Sequence, residues 1–200
     1  MPHIKHLSKD KILKQAIEKT GRLELSTRKN IFLSLCNSIM SQQLSTKVAD
    51  IIQARFVNLF DDKKPIPEKV LQLSHETLRS IGLSNAKVTY VQNVARFALE
   101  KGMNASKLNK MSNEEVIDYL TEIKGVGRWT VEMLLMFTLG REDVFAVDDL
   151  GIQQAIVSLY NIENTEPKKI KIKMQLLAEN WAPYRTYACM YLWRWKDGVK

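Results

Sequence analysis

The chain is poor in cysteine, histidine, glycine, proline and long apolar runs, and each shortage excludes something. Two cysteines in 200 residues, Cys36 and Cys189, cannot build a four-cysteine zinc site or an iron–sulfur cluster. Both sit among apolar neighbours, so buried free thiols in a reducing compartment are expected. Three histidines, with His3 and His6 in the tail and His75 at a helix cap, offer no His/Cys/Glu spacing for zinc, which argues against a deaminase. Eight glycines and five prolines leave no collagen-like repeat, low-complexity tract or flexible linker. The longest apolar run, Ala188 to Trp193, is far too short to span a bilayer. The first ten residues carry no secretory signal. A soluble, intracellular protein without a membrane role is expected. A 45% hydrophobic, 26% charged composition is ordinary for a globular protein. A chain this long buries roughly 70% of its unfolded surface, so it folds without staples.

Thirty basic against 22 acidic residues give a net charge of +8, which favours a polyanionic partner, nucleic acid before membrane. The excess is uneven. Residues 1–60 carry 10 basic and 4 acidic groups, and residues 161–200 carry 8 and 4, whereas residues 121–160 carry 3 and 6. This acidic island opposes a polyanion unless something other than side-chain charge grips it there.

Helical periodicity dominates and strand alternation is nearly absent. Leu44, Val48, Ile51, Ile52, Phe56, Leu59 and Phe60 mark one apolar face over four turns, and Val88, Val91, Val94, Ala95 and Ala98 a narrower one. About ten helices are predicted, near 9–20, 27–40, 44–60, 67–72, 75–81, 84–101, 113–122, 128–139, 149–159 and 166–196, the last broken near Pro183. Ser112-Asn-Glu-Glu115 reads as a capping box, and Thr165-Glu-Pro167 as a helix start with proline in the first turn. The fold class is all-α.

Between the segments 113–122 and 128–139 lies Ile123-Lys-Gly-Val-Gly-Arg128. Two glycines around one apolar residue allow a tight turn with Val126 plugged between the helices. The amides of Gly125, Gly127 and Arg128 then face outward at a helix N-terminus, where a phosphate binds well. Lys124 and Arg128 add charge there, and the Thr130 hydroxyl a hydrogen bond. The alternative is a plain αα-hairpin with glycine caps.

The wider string, Leu120-Thr-Glu-Ile-Lys-Gly-Val-Gly-Arg-Trp-Thr130 followed by Leu139-Gly-Arg-Glu-Asp-Val-Phe-Ala-Val-Asp-Asp149, resembles the helix-hairpin-helix and Gly/Pro-Asp signature of the helix-hairpin-helix DNA glycosylase superfamily. Ile39-Met-Ser-Gln-Gln-Leu-Ser-Thr-Lys47, Leu78-Arg-Ser-Ile-Gly-Leu-Ser-Asn-Ala-Lys87 and Ala178-Glu-Asn-Trp-Ala-Pro-Tyr-Arg-Thr-Tyr-Ala188 resemble segments of its alkylation-repair branch, the 3-methyladenine DNA glycosylases. The resemblance implies a two-lobed helical fold in a single catalytic domain spanning 1–200. Lobe A would comprise about 1–35 plus 148–200, and lobe B about 36–147 with the hairpin at 113–139. Larger relatives carry a further N-terminal domain, for which 200 residues leave no room.

Cleaving an N-glycosidic bond builds positive charge on the sugar, and a carboxylate stabilises it and orients water. Asp148 and Asp149 are both candidates. They point about 100° apart, so one serves catalysis and the other a helix cap. The resemblance assigns catalysis to Asp149, 24 residues after Gly125, and leaves Asp148 as N-cap or a helper on the phosphate side. It also implies a base pocket of Trp129 and Trp193, where a cationic alkylated purine is attracted to an aromatic face. Met133 stands there where some relatives carry an aromatic, and Tyr187 lies nearby with Tyr184 and Tyr191. Bifunctional relatives place a lysine where Trp129 stands, so a monofunctional enzyme leaving an abasic site is expected.

A flipped base leaves a gap in the duplex. The resemblance implies a wedge from Gln42 or Gln43, which match the loop that supplies it in several relatives, and Leu83 lies on a second candidate loop. Relatives hold a monovalent or divalent ion on hairpin carbonyls, which would be those of Thr121, Ile123 and Gly125. No cofactor is otherwise implied. The expected partner is double-stranded DNA bearing alkylated bases of the 3-methyladenine or 7-methylguanine type, bound by a monomer. The rival readings are a non-catalytic helix-hairpin-helix DNA-binding module and a glycosylase for another class of lesion.

Overall fold

The computed structural model describes residues 1–28, 30–162 and 166–198. Among them are thirteen helices and no strand: α1 (Pro2–Leu7), α2 (Lys11–Thr20), α3 (Ile31–Ser41), α4 (Thr46–Asn58), α5 (Pro67–Gln72), α6 (His75–Ser80), α7 (Asn85–Glu100), α8 (Ala105–Leu108), α9 (Asn113–Thr121), α10 (Arg128–Phe137), α11 (Leu150–Leu159), α12 (Pro167–Glu179) and α13 (Arg185–Lys196). The all-α reading holds. Short polar side chains fix most starts. Asp10, Asn30, Ser74, Ser84, Asn104 and Asp149 each accept a first-turn amide, and Ser112 with Glu115 forms the expected capping box. The predicted final helix is two, divided around Pro183. Thr165 lies outside the described residues. The N-cap of α12 is Glu166, with Pro167 in its first turn.

Two compact units form, Met1–Thr27 with Leu135–Lys200, and Arg28–Leu134. These breaks precede the expected ones at about 36 and 148, for two packing reasons. Helix α3 packs against α4 and α7, which keeps it whole in the second unit. Residues 141–144 are stitched to the start of α13. The Thr186 amide donates to Glu142 O, the Val144 amide to Thr186 Oγ1, and Arg185 pairs with Asp143 at 2.6 Å.

In the first unit α13 packs on α2 and α11, and α12 on α11, around Leu13, Ile17, Ile152, Ile156, Tyr191 and Leu192. In the second, α7 is central, flanked by α3, α5 and α6, with Leu35, Ile39, Val88, Val91 and Val94 fully buried. The stripe read on α4 is only partly core. Ala49, Ile52 and Phe56 are buried, while Leu44, Val48 and Ile51 face solvent. That apolar band is wider than the face α3 covers. Both cysteines are buried thiols outside any disulfide, as expected, and burial pushes the Cys36 thiol well above its ordinary range.

Two short helices escaped the sequence reading. Helix α1 makes a structural residue of His3, which was read as part of a tail. His3 is buried, with its ring stacked on Tyr187 at 3.8 Å. Helix α8 has a single turn and too few residues to show a period.

Candidate active site and hairpin

Each unit carries one half of the expected functional set, and each is described alone. In the first unit, Asp149 is the N-cap of α11, only 9% exposed. Its Oδ1 accepts the Ile152 amide at 2.8 Å and the Trp193 indole N–H at 2.9 Å. Capping and the expected catalytic role thus fall on one side chain, and Asp148 is not the cap. Asp148 pairs with Lys171 of α12 at 2.5 Å instead. Trp193 is backed by Phe137 at a ring distance of 6.0 Å.

The tyrosines read beside Trp193 are structural. Tyr187 is buried against His3 and donates to Glu142 Oε1 at 3.1 Å. Tyr191 is fully buried. Tyr187 therefore leaves the candidate pocket, because both its ring face and its hydroxyl are engaged elsewhere. Burial, then Glu142, pushes its hydroxyl above the ordinary tyrosine range.

In the second unit, α9 and α10 form the expected hairpin. Val126 is buried as the plug, and its amide closes the turn onto Ile123 O at 2.9 Å. Gly125 has φ +106°. Among the described residues the amides of Gly125, Gly127 and Arg128 donate to no backbone carbonyl, leaving three donors at the start of α10. Lys124 and Gly127 are exposed.

Two polar residues behave differently from expectation. Arg128 makes a two-pronged pair with Glu114, at 2.6 and 2.9 Å, and its Nε donates to Glu132 at 3.0 Å. It clamps α9 to α10 and brings no surplus charge to the turn. Thr130 is 4% exposed, so its hydroxyl has almost no surface to offer a phosphate.

Trp129 is 43% exposed. With Arg28, Asn37, Gln42, Gln43 and Asp50 it lines a cavity of about 660 Å³ within this unit. Met133, one turn further along α10, is half-buried. Gln42 reaches across to the hairpin, its Nε2 donating to Gly125 O at 3.3 Å. Gln43 is exposed at the loop tip with φ +58°, a left-handed backbone that costs a non-glycine residue energy. Lys87 holds this loop from below, donating to Met40 O and Gln42 O at 2.9 and 2.7 Å. That lysine was not singled out from sequence; a lysine shortly after a helix N-cap carries no signal of the distant carbonyls it will reach.

Leu83 is 1% exposed. It is core, not a wedge, because inserting it into DNA would first unpack this unit. Of the three carbonyls expected to hold an ion, Ile123 O and Gly125 O each accept one hydrogen bond and keep a second lone pair. Such oxygens suit a hard cation. Among the described residues no His, Cys, Asp or Glu cluster of three or more is placed to hold a metal, and no helix is long and apolar enough to cross a membrane.

Residues 36–183 match the HhH-GPD superfamily of base excision DNA repair proteins, and the chain belongs to that family. It is 38% identical over 172 residues to a DNA-3-methyladenine glycosylase of Schizosaccharomyces pombe, covering 84% of this chain and 73% of that one. The fold superposes on a solved structure of the S. pombe 3-methyladenine DNA glycosylase in complex with abasic DNA, with a TM-score of 0.88, 33% identity and coverage of 100% and 98%. A DNA-3-methyladenine glycosidase from Bacillus halodurans gives a TM-score of 0.86 at 38% identity, covering 100% and 90%.

Proposed function

We propose that the chain is a monofunctional DNA glycosylase that hydrolyses the N-glycosidic bond of alkylated purines in duplex DNA, of the 3-methyladenine and 7-methylguanine type. The names of its relatives support the substrate class. The observation that carries the chemistry is Asp149, a buried carboxylate held at one oxygen by the Ile152 amide and the Trp193 indole.

As the bond to the base stretches, positive charge grows on the deoxyribose. A carboxylate fixed beforehand stabilises that charge without reorganising, and it orients or deprotonates the attacking water. An alkylated purine is already cationic and leaves without strong acid assistance. Trp129, an exposed residue, suits a cationic base through its electron-rich face. Its indole also stands where a Schiff-base lysine would be needed for strand nicking, so the product is an abasic site in an intact strand.

The free hairpin amides grip the phosphate backbone irrespective of sequence. Gln43, presented at an exposed tip, fills the gap left by the flipped base, while Gln42 braces the hairpin. A cation on the carbonyls of Thr121, Ile123 and Gly125 would stiffen the turn and takes no part in the chemistry. The enzyme works as an intracellular monomer.

The test is a duplex carrying a single 7-methylguanine or 3-methyladenine, incubated with wild type or with Asp149→Asn. Wild type is expected to free the base and the variant to lose at least two orders of magnitude in rate. No base freed by wild type, or equal rates, refutes the assignment. Strand breakage without alkali refutes the monofunctional reading.

A further inference from the structure

Gly151 stands in the first turn of α11, two residues after Asp149. Its φ lies outside the left-handed region, so the backbone does not require glycine there. Alanine would favour the helix more. The space decides otherwise. A Cβ at Gly151 would lie 3.1 Å from Asp149 Oδ1, 3.2 Å from Trp193 Cδ1 and 3.4 Å from Trp193 Nε1. Those atoms are the acceptor and the donor edge of the 2.9 Å hydrogen bond between Trp193 and Asp149.

We infer that Gly151 and Trp193 are a pair of positioning residues that set the rotamer of Asp149, Trp193 by donating its indole N–H and Gly151 by leaving room for the indole edge to arrive. This rests on the reading of Asp149 as the carboxylate that faces the sugar. Two donors approach Oδ1 from fixed directions, the Ile152 amide from the helix and the indole from α13. Together they fix the plane of the carboxylate. Phe137 packs against the Trp193 ring and limits its retreat. A methyl group at 151 must therefore displace the carboxylate, the indole or both. Trp193 thus acts on the reaction through its ring edge, in contrast to the stacking face read from the sequence.

Single-turnover excision of 7-methylguanine from duplex DNA tests this with Gly151→Ala, Trp193→Phe and their combination. Melting temperature and affinity for a duplex carrying a tetrahydrofuran abasic analogue are measured alongside. Gly151→Ala is expected to keep both Tm and affinity while its rate falls roughly tenfold or more, since small misplacements of reacting groups are costly. Trp193→Phe, which keeps a ring and adds no bulk, is expected to lose rate in the same way. It decides the matter if Gly151→Ala also loses Tm. The double variant should fall no further than the worse single, because both changes break one contact. A wild-type rate in Trp193→Phe, additive losses, or a loss confined to affinity overturns the inference and leaves the functional reading standing. A wild type that frees no base overturns both.

Discussion

The two hairpin glycines look alike in sequence, but the structure asks different things of them. At Gly125 a Cβ would stand 2.6 Å from Tyr90 Cβ and closer still to Cγ. These atoms lie near the α7 backbone, so the ring cannot swing aside. The φ of +106° adds strain of about 1–3 kcal/mol for any other residue, and forced overpacking a further ~1–3 kcal/mol. Gly125→Ala should therefore cost about 4 kcal/mol, and at about 2–4 °C per kcal/mol for a chain this size its Tm should fall by roughly 8–16 °C. At Gly127 a Cβ would meet nothing within 4 Å, and Gly127→Ala should change stability by less than about 0.5 kcal/mol. If Gly127 serves the close approach of a phosphate to the neighbouring amides, the methyl group obstructs it. DNA affinity should then fall about tenfold for damaged and undamaged duplexes alike, as suits a contact that carries no sequence information. Thermal melts and fluorescence anisotropy on both variants check this. A Gly127→Ala protein that binds as wild type refutes the amide grip, and an unchanged Tm in Gly125→Ala refutes the Tyr90 packing.

Asp10 caps α2 and also accepts the Tyr160 hydroxyl at 2.6 Å and the Trp181 indole at 3.0 Å. Asp10→Ala should cost about 3 kcal/mol, roughly one for the cap and one for each stranded donor. Burial raises the Asp10 carboxyl, but the four hydrogen bonds outweigh it and hold it below the ordinary range. Its contribution is therefore present above about pH 4, the unfolded value, and is lost as pH falls through the lower folded value. The Tm gap between wild type and variant should narrow only below about pH 4, and a gap constant down to pH 2 counts against the network. Leu83→Ala should lose about 2–5 kcal/mol as a core truncation, measured by urea denaturation. Gln43→Ala should instead keep stability and slow excision more from a fully paired duplex than from one with a mismatch opposite the lesion, where flipping is less costly. Equal slowing on both refutes the wedge.

What the sequence revealed depended on whether its signal was local. Caps are local: Ser84, Ser112 and Asp149 bind amides within three residues, so the helix starts were legible. The hairpin was legible for the same reason, its turn being written in six consecutive residues. Burial is not local. Leu83 and Gln43 both sit in loops after helices, and only the tertiary fold makes one core and the other a tip. Likewise Arg128 reads as a phosphate ligand until Glu114, fourteen residues away, is seen to occupy it. The carboxylate Asp149 was singled out by its motif, but the glycine beside its indole partner was not, because nothing in the string Asp149-Leu-Gly-Ile says that a tryptophan 44 residues on will lie against it.

The acidic stretch at 121–160 looked, in sequence, like an obstacle to a polyanion. In the folded chain each of its six acids has a partner. Glu122 pairs with Lys101, Glu132 with Arg128, Asp143 with Arg185 and Asp148 with Lys171. Glu142 accepts a hydrogen bond from Tyr187, and Asp149 from Trp193. Three of the four cations come from outside the stretch, two of them from the basic C-terminal segment. The exposed pairs, Glu122 with Lys101 and Asp148 with Lys171, add little to stability. The effect of the four ion pairs is on the field, because a carboxylate beside a cation presents a dipole that decays faster with distance than a bare charge, whereas Glu142 and Asp149, bonded to neutral donors, keep theirs. The local net charge counted along the chain is therefore not the charge an approaching phosphate meets. Within the hairpin's own unit Glu122 and Glu132 are paired with Lys101 and Arg128, so a phosphate on the hairpin amides, as proposed, would need no surplus cations at the turn to offset them.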